Sequence, residues 1–149
     1  MKEKALIVDI DGTLSDNTHR LHMFNENVKD WTAINEQSRY DLPVMWCQEM
    51  VHMYNRAGYK ILFITGRAAE AEGVTREWLM RYISPEVDWS LMMRPSDDTR
   101  EDWVVKKDIY NQKVMPFYEV EFCLEDRDSV TNMWRGLGLV CLQVKESTY

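Results

Sequence analysis

Two aspartates, Asp9 and Asp11, follow a short apolar run near the start of the chain, in the stretch A-L-I-V-D-I-D-G-T-L at 5–14. Side chains alternate along an extended segment, so both carboxylates point to the same side where the run ends. Two adjacent carboxylates repel each other unless a proton or a cation lies between them. A hard divalent cation such as Mg²⁺ resolves this repulsion with few protein ligands. Taken alone, the stretch is equally compatible with an ordinary strand followed by an Asp-Gly turn.

Polar groups also follow two later apolar runs. The tripeptide T-G-R at 65–67 comes after the run at 59–64, and E-D-R at 125–127 comes after the run at 121–124. Ligands of open α/β sheets bind at the carboxyl ends of the strands, so these groups are expected to meet in one crevice. Lys106, on the helix before the later run, adds a cation. Carboxylates, a hydroxyl, a cation and Mg²⁺ together are suited to phosphoryl transfer.

Lys106 has a neighbour of the same type, Lys107, and either could be a solvated lysine on a helix surface. The apolar pattern of Val104, Val105 and Ile109 places Lys106 nearer the edge of the sheet. We therefore expect Lys106 to be the lysine of the site.

The elements that must position these groups alternate between buried strands and amphipathic helices. Strands are predicted at 5–8, 59–64, 90–93, 121–124 and 139–144. Helices are predicted from a first turn that contains Pro43 to an end at Gly58, at 71–83, after the capping residues at 96–100, and around 130–134. This alternation predicts an α/β fold, a doubly wound and mainly parallel sheet with helices on both faces.

A long polar stretch, at about 15–42, separates the first strand from the first helix. A connection of this length in a compact domain is more typical of a functional flap or small cap than of a structureless loop. Trp31 and Tyr40 lie within it. These aromatic side chains either stack on a nucleobase or fill a small core of the cap itself.

Length, composition and net charge limit the classes of protein to which this sequence can belong. The 149 residues suit one domain, and the chain is 45% hydrophobic and 29% charged with no apolar run near membrane-spanning length. The start leads directly into a strand, so no signal peptide is expected, and three cysteines without zinc spacing indicate reduced thiols in a cytoplasmic protein. A net charge of −7 argues against binding long nucleic acid through its phosphates, but is compatible with handling a strand end.

The ordered motifs D-I-D-G-T, T-G-R, the lysine of V-V-K and E-D-R resemble the four motifs of the haloacid dehalogenase (HAD) superfamily of phosphohydrolases. The stretches D-D-T-R-E-D-W-V-V-K, L-E-D-R and M-W-R-G-L-G-L-V-C-L-Q-V further resemble the phosphatase domain of phage-type polynucleotide kinase/phosphatase. The resemblance implies one HAD-type, Rossmann-like domain over 1–149 with its cap or flap at 15–42. The motif G-x-x-x-x-G-K-[ST] is missing from the sequence, so no kinase domain is expected.

The resemblance implies a catalytic role for several residues. Asp9 becomes the nucleophile that forms an aspartyl-phosphate, and Asp11 becomes the general acid and later the base for water. Thr65 and Gly66 hold phosphoryl oxygens through a hydroxyl and a backbone N–H. Lys106 bridges Asp9 and the phosphate.

The resemblance also implies a cofactor, Mg²⁺, and a set of substrate contacts. The metal ligands are Asp9, the carbonyl of Asp11, Glu125 and Asp126, with Glu125 standing where the family often has aspartate. The basic residues expected to bind substrate or order the site are Arg20, Arg67 and Arg100.

The leading hypothesis is a Mg²⁺-dependent phosphomonoesterase that removes 3′-phosphates from nucleic-acid ends. One alternative keeps the chemistry and changes the substrate to free nucleotides. Another is a non-catalytic binding domain on the same fold, although the intact Asp9, Asp11 and Lys106 argue against it. The expected partner is a 3′-phosphorylated nucleic-acid end or nucleotide, with no membrane and no obligate protein partner.

Overall fold

Five parallel strands form the centre of the molecule, and a computed structural model describes the chain over residues 1–147. In chain order the strands are β1 Glu3–Val8, β2 Ser15–Asp16, β3 Leu42–Pro43, β4 Lys60–Ala68, β5 Trp89–Arg94, β6 Tyr118–Glu125 and β7 Cys141–Gln143. The α-helices are α1 Trp31–Gln37, α2 Met45–Arg56, α3 Glu72–Tyr82, α4 Asp102–Ile109 and α5 Asp128–Gly136. The last two residues of the predicted domain, 148 and 149, lie outside the described part of the chain.

The order of strands in the main sheet is β5-β4-β1-β6-β7, with every pair parallel. The chain therefore builds outward from β1 through β4 and β5, and then returns to the other side of β1 for β6 and β7. This reversal confirms the predicted doubly wound sheet. It also places a topological switch point at the carboxyl end of β1, where open α/β sheets bind ligands.

The continuous apolar run of β1 follows from burial on both faces of the strand. Leu6 and Val8 pack in one hydrophobic core with α2 and α3, whereas Ala5 and Ile7 pack in a second core with α4 and α5. Each of the four side chains is at most 1% exposed. Burial of each larger aliphatic side chain stabilises the fold by about 1.5–3 kcal/mol. β1 is therefore a rigid base for the residues that follow it.

Residues 15–42 form a flap that is closed at its base. β2 and β3 pair antiparallel there, with Ser15 opposite Pro43 and Asp16 opposite Leu42. Between them lie the 3₁₀ segments Thr18–Asn25 and Ser38–Tyr40 and the helix α1. The pairing returns the end of the flap to the carboxyl edge of the main sheet.

Four element boundaries differ from the sequence prediction. Pro43 does not lie in the first turn of a helix but pairs with Ser15 in β3, and α2 begins at Met45. β4 does not end before T-G-R but continues through it to Ala68, with a register irregularity against β5 after Ile64. α4 begins at Asp102 without a side-chain cap from the polar residues at 96–100. β7 is shorter than the predicted strand at 139–144. The pattern of apolar residues indicates which residues are buried, but it does not indicate at which residue the backbone hydrogen bonds of a strand end.

Several aromatic side chains are more exposed than packing patterns suggest. Trp31 and Tyr40 in the flap are 57% and 65% exposed, so neither is buried in a core of the cap, although the Trp31 ring packs edge-on against Phe24 within the flap. Trp103 on α4 is 37% exposed, whereas Trp78 and Trp134 are buried as predicted. Within residues 1–147, none of the helices is long and apolar enough to span a bilayer.

Candidate active site

Asp9 is the first residue after β1 and is only 6% exposed. Its backbone N–H donates to the Leu124 carbonyl at 3.0 Å, which continues the ladder toward β6. Its Oδ1 accepts from Lys106 Nζ at 2.8 Å and its Oδ2 accepts from Thr13 Oγ1 at 3.0 Å. Gly12, at φ +79°, lets the chain turn so that Thr13 faces Asp9. Both oxygens of Asp9 are thus held, and Thr13 is a site residue that the prediction omitted although its motif contains it.

Lys106 connects Asp9 with Glu125, whose Oε2 lies 2.9 Å from the Lys106 Nζ. The other oxygen of Glu125 accepts the backbone N–H groups of Asp126 and Arg127 at 3.1 and 3.2 Å. Burial alone would lower the pKa of Lys106, but the carboxylates of Asp9 and Glu125 raise it above its ordinary value. Lys106 is therefore an ammonium group that compensates two buried carboxylates, and α4 turns this lysine, rather than Lys107, toward the site.

Three carboxylates, those of Asp9, Glu125 and Asp126, gather at the carboxyl ends of β1 and β6. One oxygen from each lies within 4.8 Å of the others, and all three residues are buried. Burial and the neighbouring charge of Glu125 raise the pKa of Asp9 well above its ordinary value. Three buried carboxylates this close together offer the oxygen donors and the negative charge that a divalent cation binds.

Asp11 lies two residues beyond Asp9 and is held by two arginines. Arg67 binds it in a bidentate manner, with Nε 3.0 Å from Oδ2 and Nη2 2.8 Å from Oδ1. Arg20 Nη2 lies 2.5 Å from the same Oδ1. Partial burial would raise the pKa of Asp11, but the charges of Arg67 and Arg20 outweigh it and hold the pKa below its usual range. Asp11 is therefore ionised in this arrangement.

Arg20 comes from the flap and is 2% exposed. Its Nε and Nη2 lie 2.8 and 2.6 Å from the two oxygens of Asp41, which also accepts a contact of 2.8 Å from His19 Nε2. The prediction included Arg20 but missed Asp41 and His19. The flap has no apolar periodicity that could have indicated which of its polar groups point inward.

Thr65 and Gly66 lie within β4, beside β1. Thr65 is buried, and its Oγ1 accepts the backbone N–H of Arg67 at 3.1 Å. The Gly66 carbonyl accepts from Arg94 Nε at 2.8 Å. A Cβ at Gly66 would lie 2.6 Å from Asp102 Oδ1, so a larger residue there would force the Asp102 carboxylate to shift.

Asp102, at the start of α4, is a further residue that the prediction missed. It accepts hydrogen bonds from Arg94 and from Arg127, the latter at 2.8 Å. These contacts place it directly against Gly66. Asp102 could have been predicted from the sequence, because it lies four residues before Lys106 and therefore one helical turn away on the same face of α4.

Arg100 differs from the other predicted site residues. Its side chain is 50% exposed, and its guanidinium pairs with Asp98 and Asp108, each at 2.7 Å. Its expected role in substrate binding stays a prediction. The structure brings together the remaining members of the predicted set at one edge of the sheet, namely Asp9, Asp11, Arg20, Thr65, Gly66, Arg67, Lys106, Glu125 and Asp126.

Comparison with known protein families shows which family this chain belongs to. A family model described as the phosphatase domain of polynucleotide kinase PNKP matches residues 3–149. The chain belongs to this family. The resemblance to the HAD superfamily and to polynucleotide kinase/phosphatase is therefore confirmed, and this member of the PNKP phosphatase-domain family is a phosphoric monoester hydrolase.

Relatives of this PNKP-type phosphatase domain are longer proteins. A "Putative bifunctional polynucleotide kinase/RNA ligase" of Autographa californica nuclear polyhedrosis virus is 31% identical over 137 residues, which are 91% of this chain and 18% of that protein. A chain in a structure of a Pnkp1/Rnl/Hen1 complex is 31% identical with a TM-score of 0.82, and the match covers 99% of this chain and 48% of that one. This chain therefore spans less than half of each of these relatives.

The fold extends to more distant phosphatases. The class C acid phosphatase of Bacillus anthracis, in a crystal structure with tungstate bound, superimposes with a TM-score of 0.64 at 13% identity. That match covers 85% of this chain and 53% of the acid phosphatase. At this level of identity the likeness supports the shared fold alone.

Proposed function

We propose that this phosphatase domain, formed by residues 1–149 with its flap at 15–42, removes 3′-phosphates from nucleic-acid ends. The proposal includes an aspartyl-phosphate on Asp9 and Mg²⁺ as the cofactor. One observation carries it: in a PNKP-type domain, a buried Asp9 is bound by Lys106 and adjoins two further carboxylates at the switch point of the sheet. The expected substrate is the end of a strand, which a chain of net charge −7 can bind through a few local cations.

Mg²⁺ fits the residues present. The oxygens of Asp9, Glu125 and Asp126 lie close enough to share one ion, and carboxylate oxygens are the ligands that Mg²⁺ prefers. Glu125 already accepts from Lys106 and from two backbone N–H groups. Asp9, Asp126 and the Asp11 carbonyl are therefore the proposed direct ligands, with Glu125 holding Lys106. When bound, the ion would neutralise negative charge on the phosphoryl group.

In the first step, an oxygen of Asp9 attacks phosphorus while the bond from phosphorus to the 3′-oxygen breaks. The leaving 3′-alkoxide takes a proton from Asp11. An incoming dianionic phosphate raises the pKa of Asp11 by like-charge repulsion and competes for Arg20 and Arg67, which supports the protonated form needed here. In this proposal Lys106 and the Thr65 hydroxyl donate hydrogen bonds to phosphoryl oxygens.

In the second step, Asp11 acts as the base. Its carboxylate takes a proton from water as the water oxygen attacks phosphorus and the bond to Asp9 breaks. Inorganic phosphate leaves, Asp9 is regenerated, and Asp11 again carries the proton. The two arginines that hold Asp11 as a carboxylate suit it for this step.

The test of this proposal is phosphate release from short DNA and RNA oligonucleotides with a 3′-phosphate, in the presence of Mg²⁺. Matched oligonucleotides with a 5′-phosphate and free 3′- and 5′-mononucleotides serve as comparisons. Preference for the 3′-phosphorylated oligonucleotide, lost on chelation with EDTA and restored by Mg²⁺, supports the proposal. Equal or faster turnover of free nucleotides would make the protein a nucleotide phosphatase with the same mechanism.

The nucleophile is tested separately from the substrate. Asp9→Asn removes the attacking carboxylate but keeps the shape of the side chain, so turnover should be lost while circular dichroism stays native. Asp11→Asn should act similarly, because an amide cannot supply a proton to the alkoxide. Full activity of Asp9→Asn, with mass spectrometry excluding deamidation, would contradict the aspartyl-phosphate.

A further inference from the structure

Asp41 is completely buried at the base of the flap, immediately before β3. Its backbone is fixed on both sides: the N–H donates to the Ser38 carbonyl at 3.1 Å, and the carbonyl accepts from Trp78 Nε1 on α3 at 2.9 Å. The carboxylate of Asp41 is therefore tied to the core of the molecule although it belongs to the flap.

The Asp41 carboxylate determines how the Arg20 guanidinium is oriented. Two Arg20 nitrogens bind its two oxygens, at 2.8 and 2.6 Å, and one of them, Nη2, also reaches Asp11 at 2.5 Å. A planar guanidinium held along one edge has a fixed direction, because its donors form a rigid fork. The direction that Asp41 imposes leads to Asp11.

The charges of this cluster balance only when Asp41 is counted. Arg20 and Arg67 both bind Asp11, and Arg67 Nη2 lies 3.7 Å from Asp41 Oδ2. Two arginines thus face two carboxylates, and removal of Asp41 would leave two cations on one carboxylate. Arg20, 2% exposed, would then have no buried counter-charge except Asp11. The expected response is a shift of Arg20 and of the Asp11 carboxylate that it holds.

We propose that Asp41 is a positioning residue for the phosphatase reaction, one that sets the place of Asp11 through Arg20 without contacting substrate. This inference rests on the proposed function, in which Asp11 protonates the leaving alkoxide. It assigns to the flap a role in orienting the proton donor.

The experiment compares two leaving groups in the Asp41→Asn variant, which keeps the size of the side chain. A 3′-phosphorylated oligonucleotide releases an alkoxide that needs a proton, whereas p-nitrophenyl phosphate releases a phenolate that leaves without one. Single-turnover release of the leaving group should fall by about 10²-fold for the oligonucleotide, the usual effect of a misplaced catalytic group. The fall for the aryl phosphate should be at most a few-fold.

Two further variants separate positioning from folding. Ser38→Ala is the matched control, since Ser38 is also buried in the flap and its Oγ donates to the Asn35 carbonyl, at 2.5 Å, rather than to Arg20 or Asp41. It should leave both rates unchanged. Arg20→Lys keeps the charge but cannot bridge Asp41 and Asp11, so it should reproduce the leaving-group pattern of Asp41→Asn. The double variant should be no slower than Arg20→Lys alone, because Asp41 acts through Arg20.

A measurement without turnover completes the test. In ¹⁵N spectra, the Nε–H of Arg20 should exchange slowly in the native protein and rapidly in Asp41→Asn, while that of Arg67 should change less. Equal losses with both substrates, additive effects with Arg20→Lys, or an unchanged Arg20 Nε–H signal would each overturn the inference. Failure of the proposed function is distinguishable in the native protein before any variant is compared, since the native protein would then release no phosphate from the 3′-phosphorylated oligonucleotide or would turn over free nucleotides at least as fast.

Discussion

Replacement of Lys106 by methionine tests whether one buried ammonium holds the carboxylate cluster together. Lys106 Nζ lies 2.8 Å from Asp9 and 2.9 Å from Glu125, and each contact corresponds to about 6 kcal/mol of Coulomb attraction at an effective dielectric constant of about 20. Desolvation offsets much of this attraction in the native protein. Removal of the lysine leaves the carboxylates buried without compensation, which costs about 3–5 kcal/mol.

The assay for Lys106→Met is urea denaturation followed by tryptophan fluorescence and circular dichroism, in EDTA and in Mg²⁺. A loss of that size corresponds to a melting temperature lower by about 6–20 °C for a chain of this length. The loss should be smaller in Mg²⁺, because a bound cation supplies part of the missing compensation. Lys107→Met is the matched control: within residues 1–147 the Lys107 ammonium forms no ion pair, so its effect should stay within about 0.5 kcal/mol.

A second substitution isolates the cause. Glu125→Gln added to Lys106→Met removes one uncompensated charge, so the double variant should be more stable than Lys106→Met alone. The reasoning is refuted if Lys106→Met unfolds within about 0.5 kcal/mol of the native protein in EDTA. It is also refuted if the Lys107 control is equally destabilised.

Three further predictions concern the strand edge, the nucleophile and the thiols. Gly66→Ala should cost about 1–3 kcal/mol in urea denaturation, because Asp102 blocks the added methyl group, whereas Gly73→Ala on α3, with open space around it, should be neutral or stabilising. The Asp9→Asn variant should release no phosphate in the activity assay, while its circular dichroism spectrum should remain that of the native protein. Burial raises the pKa of Cys47 to about 12, so at pH 8 iodoacetamide should leave this thiol unmodified in the native protein and alkylate it in urea. Rapid alkylation of Cys47 in the native protein would contradict its burial.

Much of the fold was predictable because burial leaves a direct trace in the sequence. The unbroken run of β1 indicated a strand covered on both faces, and its alternate residues do enter two separate cores. The apolar spacing of Val105 and Ile109 predicted which lysine of α4 faces the site, and the structure buries Lys106 beside these two residues. Strand ends were less predictable, as β4 shows: its pairing with β5 is interrupted after Ile64 and resumes with Ala68 opposite Arg94, so the strand extends past T-G-R.

The proposed chemistry could be predicted from the sequence alone, because Asp9, Asp11 and Lys106 lie in motifs of recognisable order on elements with clear periodicity. Which polar groups contact each other could be learned only from the folded chain. Asp41 and Arg20 are separated by twenty residues of a flap without apolar period, and their contact exists because β2 and β3 close that flap. Periodicity records which face of an element is buried. It carries no record of the partner that a polar side chain finds in another segment, since packing of the whole chain sets that distance.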